Sequence, residues 1–255
     1  MIEIENLSVK ISGKILLDNI SFKVPKNSTL CLLGKNGSGK STLLRTILGN
    51  LDYTGSCKIK GIENRSLSEK KRAQMLSYVP QNQNIIFPFT LLEVVLMGKF
   101  AKSSLFAYTK AQKNEAFALL ESFGIAHLAQ RLFYSLSGGE KQLGLIARAL
   151  ISDNEIIVLD EPVSALDISY SFKLLDLIAN FKGKTIILSS HFPEQCFIAD
   201  SILMIKAGKI FRHAKRDECL QTPHIDALYD ISTTATPLPN SATYFCQCKN
   251  KRENL

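Results

Sequence analysis

No stretch of this chain approaches the roughly 18–20 consecutive apolar residues that a membrane-spanning helix needs, so no part of it is expected to cross a bilayer as a helix. The opening Met1-Ile2-Glu3-Ile4-Glu5 lacks both the basic and the apolar region of an export leader, and the chain is expected to stay in the cytosol. Internal repeats and extended heptads are missing, which excludes a solenoid and a long coiled coil. Cysteine is scarce, with six residues at positions 31, 57, 196, 219, 246 and 248. Only Cys246 and Cys248 lie close together, and a metal site there lacks two further ligands. In a cytosolic chain all six are expected to be reduced thiols.

What is present is enough for a sizeable core. The 255 residues are 45% hydrophobic, which suits one large α/β domain or two closely joined lobes. The formal charge of +8 admits three kinds of partner: nucleic acid, anionic lipid headgroups or an acidic protein. Most of the charge is dispersed, with local runs at Lys70-Lys71-Arg72 and at Lys249-Asn250-Lys251-Arg252. Such runs read as solvated surface, or as a basic face near a negatively charged membrane. The last run also reads as a frayed tail.

Along the chain, Ile2-Glu3-Ile4-Glu5 and Ile20-Ser21-Phe22-Lys23-Val24 alternate around a turn at Ser12-Gly13-Lys14, predicting an antiparallel hairpin region over residues 1–30. The continuous apolar run Thr29-Leu30-Cys31-Leu32-Leu33 predicts a strand buried on both faces. A glycine-rich loop follows, then a helix over residues 42–48. Residues 56–80 hold a short strand, a basic helix start and a strand at Leu76-Ser77-Tyr78-Val79. From about 90 to 150 the pattern turns helical, including an amphipathic stretch over 116–123 ended by Gly124. This block lacks strand signals and is expected to be a helical lobe, about 88–150, inserted into an α/β core. Strands return at 156–159, 185–188 and 201–205. Residues 213–255 look less regular, and 233–241, rich in Thr, Pro, Ser and Asn, are expected to be loop.

Three segments carry chemistry. The first, GKNGSGKS at residues 34–41, fits G-x-x-x-x-G-K-[ST]. Holding a polyphosphate requires backbone N–H groups aimed inward. Glycines permit the positive φ angles, and the following helix adds its positive N-terminal end. Lys40 would neutralise β- and γ-phosphates, and the Ser41 hydroxyl would ligate Mg²⁺. The second, IIVLDEP at 156–162, ends a buried strand in two carboxylates. It reads as a solvated acidic turn, or as Asp160 near a metal with Glu161 placed to accept a proton from an attacking water. The third, LSGGE at 136–140, precedes an apolar helix. Ser137 there is an ordinary N-cap, or part of a second anion site at a helix N-terminus. Because the chain already has a phosphate loop, a second anion site suggests binding across a dimer interface.

Together, in this order, the three segments resemble the ATP-binding cassette (ABC) transporter family, in its nucleotide-binding subunit, over about residues 1–230, with 231–255 as an irregular tail. The resemblance implies an α/β fold: a P-loop NTPase (RecA-like) core with an N-terminal antiparallel β subdomain and the inserted α-helical subdomain. It implies ATP and Mg²⁺ as ligands, with Gly34, Lys35, Asn36, Gly37, Ser38, Gly39, Lys40, Ser41 and Thr42 holding the nucleotide. Gln81 matches the glutamine that senses Mg²⁺ and the membrane subunit, so Ser41, Gln81 and Asp160 are the implied metal residues. Glu161, His191 and Gln81 are the implied catalytic set, His191 being the switch that contacts the γ-phosphate. Ser137, Gly138, Gly139 and Glu140 would act on the ATP of a second copy in a head-to-tail homodimer, and Ser164, Ala165, Leu166 and Asp167 match the loop at that interface. The other implied partners are transmembrane permease subunits and, indirectly, an extracytoplasmic substrate-binding protein. The implied place of work is the cytoplasmic face of the inner membrane.

Residues 87–99, FPFTLLEVVLMGK, resemble importers of iron–siderophores, haem and vitamin B12, and His191-Phe192-Pro193-Glu194 and Ala227-Leu228-Tyr229 also look like that group. The same helix is consistent with plain packing. Iron-chelate import ranks first; haem, cobalamin and molybdate-type oxyanions share the motor pattern. A soluble ABC ATPase acting on nucleic acid is a distant alternative, because those relatives carry long coiled coils or two cassettes, and no nucleic-acid partner is expected. A regulator without turnover fits poorly with Glu161 and His191. Glu140 stands where Gln is usual, and no loss of activity follows from it. Val163 stands in a usual Thr position. Ile11 stands where relatives often carry an aromatic that stacks on adenine. Base–aromatic stacking is worth about 1–3 kcal/mol, so Ile11→Tyr is expected to tighten ATP binding in a calorimetric titration; an unchanged affinity contradicts the assignment of Ile11.

Overall fold

A computed structural model of the chain describes residues 1–81, 87–102, 108–164, 166–237 and 243–247. In chain order it begins with β1 (Ile2–Ile11), β2 (Lys14–Val24), β3 (Thr29–Leu33) and α1 (Lys40–Ile47). Next come β4 (Thr54–Ile59), β5 (Ile62–Glu63), α2 (Glu69–Ala73) and β6 (Leu76–Val79). Three helices follow: α3 (Leu91–Leu96), α4 (Lys110–Ser122) and α5 (Gly138–Ile151). After them lie β7 (Ile156–Leu159), α6 (Ile168–Ala179), β8 (Thr185–Ser190), β9 (Ser201–Lys206) and β10 (Lys209–Lys215). The chain continues through α7 (Arg216–Cys219), α8 (Thr222–Tyr229), β11 (Thr233–Pro237) and β12 (Thr243–Gln247). No helix of the described residues is long and apolar enough to cross a membrane.

The chain forms two compact units, Met1–Arg65 with Ile187–Leu255, and Ser66–Ile186. In the first, β1 and β2 make the expected hairpin. Ser12 and Gly13 both have left-handed φ, 47° and 83°, the turn handedness that matches the twist of paired strands. The antiparallel sheet runs β2-β1-β4-β5. Ile2, Ile4, Leu7 and Val9 are all buried although their numbers change parity. The register shift between Ile4 and Leu7, with Asn6 at φ 49°, inserts the extra residue that returns the apolar side chains to one face. A second set of strands in this unit pairs β3 parallel to β9 and β9 antiparallel to β10. Leu30, Cys31, Leu32 and Leu33 are fully buried, as a two-sided strand requires.

In the second unit β6 and β7 pair in parallel, and α5 packs against α3, α4 and β6. The helices start where short polar side chains satisfy their free N–H groups. Thr90 with Glu93, Thr109 with Gln112, and Ser137 with Glu140 each form a reciprocal capping box. Ser77 on β6 donates to the carbonyl of Ala149 on α5 at 2.8 Å. Among the described residues Phe133 is the largest fully buried side chain, and it lies against the Cα face of Gly144, where an added Cβ would come within 3.4 Å of its ring. β8 begins in this unit and ends in the first, with all six residues buried.

Helices fill the middle of the chain, and the compact division falls at 65/66 and 186/187. α5 is bonded to β6 through Ser77 and Ser152, so helices and strands of this unit share one core. The expectation for the C-terminal stretch is corrected: residues 233–241 are not all loop, nor is 231–255 uniformly irregular, because β11 pairs antiparallel with β12. Thr233 is anchored by Asp226 of α8, whose Oδ1 accepts from its N–H at 2.8 Å and its hydroxyl at 2.6 Å. That side-chain contact has no periodic signal in the sequence. The basic run at 249–252 and Cys248 lie outside the described residues.

Truncating a large buried aromatic costs about 3–5 kcal/mol. Phe133→Ala is therefore expected to lower the unfolding free energy by that amount, read from the shift in denaturant midpoint; a change below about 1 kcal/mol contradicts the packing described for this unit.

Candidate functional site

The phosphate-type loop lies in the first unit and runs from the end of β3 to the start of α1. Gly34 is buried, and a Cβ there would strike the Ile205 carbonyl and the Ser38 hydroxyl. Gly37 and Gly39 have φ of 77° and 115°, which only glycine adopts without strain. Gly39 is the N-cap of α1, so the first N–H groups of the helix open onto the loop. Lys40 is only 4% exposed, and its Nζ donates to the Gly34 carbonyl at 2.7 Å and the Lys35 carbonyl at 3.1 Å. An ammonium thus sits inside the loop, held by main-chain oxygens. Lys35, Asn36, Gly37 and Ser41 are exposed along the rim, with Thr42 half-buried.

The loop is braced by a turn that sequence reading did not single out. Gly208, between β9 and β10, donates from its N–H to the Ser38 carbonyl at 2.9 Å and accepts from Asp18 at 2.9 Å. Ala207 and Gly208 are left-handed, φ 49° and 79°, and the Ala-Gly pair between two strands was the available signal. His191, just beyond β8 in the same unit, is half-buried, and its carbonyl accepts from the Tyr229 hydroxyl at 2.8 Å. Ile11 ends β1 with 42% of its surface exposed.

The acidic pair lies in the second unit, at the end of β7. Asp160 is 5% exposed and Glu161 8%, so neither ends in a solvated turn. The Asp160 N–H donates to the Val79 carbonyl at 2.9 Å, which extends the β6–β7 pairing by one residue. Glu161 has φ 46°, a left-handed conformation rare outside glycine, asparagine and aspartate. Its Oε2 accepts from Gln81 Nε2 at 2.9 Å. The structure therefore brings together two residues 80 positions apart that the sequence suggested separately. Ser164 lies one turn on, its N–H and hydroxyl both donating to the Glu161 carbonyl. Asp167 caps α6 by accepting from the Tyr170 N–H at 2.9 Å; Leu166 is half-buried, and Ala165 lies outside the described residues. Val163 is 2% exposed, so the residue found where Thr is usual belongs to the core.

LSGGE opens α5 in this unit. Ser137 is the N-cap and accepts from the Glu140 N–H, while Glu140 Oε2 accepts from the Ser137 N–H at 2.8 Å. That backbone bond holds the Glu140 carboxyl below the usual carboxylate range. Ser137 and Gly138 are exposed, and Gly139 and Glu140 half-exposed, so the helix start is open to a partner molecule. Gly139 lies close to the Tyr170 ring, 3.3 Å from where a Cβ would stand.

The loop fits a polyphosphate on its own geometry. The Ser38 hydroxyl is buried with no hydrogen-bond partner among the described residues. A bare-backbone turn, a buried ammonium and an orphaned hydroxyl at a helix N-terminus are the donor set an anion takes.

Comparison with known proteins agrees. Residues 17–164 match the ABC transporter family. A Helicobacter pylori protein named for iron chelatin transport as an ATP-binding protein is 36% identical over 242 residues, covering 92% of this chain and 95% of its own. The hemin import ATP-binding protein HmuV of Rhizobium etli is 33% identical over 256 residues, 96% of each chain. Among solved structures, one reported as an inward-facing, metal-chelate type ABC transporter superposes with a TM-score of 0.83 at 29% identity over 98% of both chains. An ATP-binding cassette seen as a dimer after hydrolysis, with ADP and phosphate, gives 0.77 at 27% identity over 85% of this chain and 99% of the other. The chain belongs to the ABC transporter family, as an ATP-hydrolysing subunit with the P-loop NTPase cassette fold.

Proposed function

We propose that the chain drives an importer of an iron(III) chelate. The observation that carries the ATP reading is the loop before α1, where buried Lys40, left-handed Gly37 and Gly39 and the unpartnered Ser38 hydroxyl share one turn. The cargo reading draws on relatives named for iron chelatin transport that align along nearly their whole length. The hemin-import relatives, aligned over 96% of each chain, favour haem as a second reading.

In this reading residues 34–42 bind the phosphates of ATP, and Lys40 neutralises the charge shared by the β- and γ-groups. Ser41, Asp160 and Gln81 are the residues that would hold Mg²⁺, which would supply charge neutralisation on the phosphate oxygens. Glu161 accepts the proton of the attacking water, and its bond from Gln81 orients the carboxylate for that task. His191 contacts the γ-phosphate. Ser137, Gly138, Gly139 and Glu140 of one copy complete the nucleotide site of the other in a head-to-tail dimer, with residues 164–167 at the contact between copies. The dimer works on transmembrane permease subunits at the cytoplasmic face of the membrane, fed by a substrate-binding protein on the far side.

Glu161→Gln keeps the shape and removes the base. Its turnover is expected to fall by at least about 10²-fold, and Mg·ATP is expected to shift it to a stable dimer in light scattering; undiminished phosphate release overturns the role of Glu161. Lys40→Ala is expected to weaken ATP binding at least tenfold, an order-of-magnitude expectation for losing a charge-assisted contact, and unaltered affinity contradicts the loop assignment. Deleting the protein is expected to abolish uptake of a labelled ferric chelate; intact ferric-chelate uptake with loss of haem uptake selects the second reading.

A further inference from the structure

We propose that Tyr229 is a positioning residue for His191, and that Asp230 fixes Tyr229 for this role by tying the end of α8 to the phosphate loop. The inference rests on the reading of His191 as the residue that contacts the γ-phosphate. All the groups involved lie in the first compact unit.

His191 sits where β8 ends, and its main chain is held on both sides. The Ser190 hydroxyl accepts from the Phe192 N–H at 2.9 Å and bonds to Gln195 Oε1 at 2.6 Å, which fixes the turn around the histidine. The His191 carbonyl takes the Tyr229 hydroxyl at 2.8 Å, across 38 residues of sequence. A phenol reaches that carbonyl only if the last turn of α8 is itself fixed. Asp230 does this. It stops α8 in a left-handed conformation, φ 53° and ψ 48°, and its carboxylate accepts from two lysines. Oδ1 takes Lys206 Nζ at 2.6 Å and Oδ2 takes Lys35 Nζ at 2.9 Å. The two ammoniums hold the Asp230 carboxyl down at about 2, so it is ionised throughout the neutral range. Lys206 also donates to the Ala227 carbonyl, placing its charge at the negative end of α8. Lys35 is the second residue of the loop, and Lys206 precedes the Gly208 turn that braces Ser38. One helix end therefore touches the loop through Asp230 and the histidine segment through Tyr229. A helix that served only to close the fold would not need both contacts.

Steady-state ATPase assays on the full chain test this with Tyr229→Phe, Asp230→Asn, His191→Ala and the double variant Tyr229→Phe/His191→Ala. Asparagine tolerates the left-handed conformation, so Asp230→Asn removes charge alone. Tyr229→Phe is expected to lower kcat about fivefold, the loss of one neutral hydrogen bond, with KM for ATP within about twofold. Asp230→Asn is expected to lower kcat in the same direction by about twofold to threefold, as an exposed ion pair allows. Thermal midpoints should stay within about 2 °C of the parent. In the His191→Ala background Tyr229→Phe should add no further loss, because it acts through the missing side chain. An independent readout is the imidazole NMR resonance of His191, assigned by its disappearance in His191→Ala among the four histidines; it should move in both single variants. If Tyr229→Phe leaves kcat and that resonance unchanged while His191→Ala loses turnover, the positioning role is overturned and the reading of His191 stands. Equal losses from Tyr229→Phe with and without His191 also overturn it, by showing a general structural effect. Full turnover in His191→Ala overturns the reading of His191 itself.

Discussion

A positive charge buried inside a turn is the constraint on which the rest depends. Lys40 is 4% exposed, and an ammonium so enclosed is costly unless its donors are met. The chain meets them with the carbonyls of Gly34 and Lys35, which requires the backbone to fold back over the lysine. That path needs left-handed residues at 37 and 39 and no side chain at 34. β3 on one side and α1 on the other hold the ends of the turn. The turn is thus prearranged for an anion, with charge, main-chain donors and a spare hydroxyl in place.

The acidic pair has the opposite character. Asp160 and Glu161 are nearly buried, and Glu161 adopts a left-handed conformation that costs of order 1–3 kcal/mol for a non-glycine residue. The cost is offset by what surrounds it. Asp160 continues the strand pairing to Val79, Gln81 binds the Glu161 carboxylate, and Ser164 binds its carbonyl twice. A carboxylate bonded to the Gln81 amide, at the end of a rigid strand, can be presented to a water without searching for a conformation.

Much of this was legible in the sequence because its physics is local. The short apolar run at 29–33 has the length and composition of a buried strand, and the glycine spacing with Lys40 and Ser41 after it is that of an anion-type turn. Capping boxes such as Thr90 with Glu93 are readable for the same reason. The contacts that were not legible join residues far apart by single side chains. Tyr229 with His191, Asp226 with Thr233, and Gly208 with Ser38 leave no period and no spacing to detect. The helices of the middle block were readable as helix, whereas the bonds by which Ser77 ties β6 to Ala149 and Ser152 leave no period in the sequence. Ile11 and Val163 show the value of burial: the first remains exposed, the second is enclosed and explained by packing. The cargo is the least legible feature, since none of the residues argued above is assigned a contact with it.

In the proposed dimer one copy supplies the phosphate loop and another supplies Ser137 for the same ATP. Mixing two inactive variants, Lys40→Ala and Ser137→Arg, tests this most directly. In a mixed dimer, one nucleotide site combines the intact loop of the Ser137→Arg copy with the intact helix start of the Lys40→Ala copy. Recovery of ATP turnover in the mixture, absent from either variant alone, is the predicted result. A mixture as inactive as its components, despite demonstrated mixed dimers, contradicts a site shared between two copies.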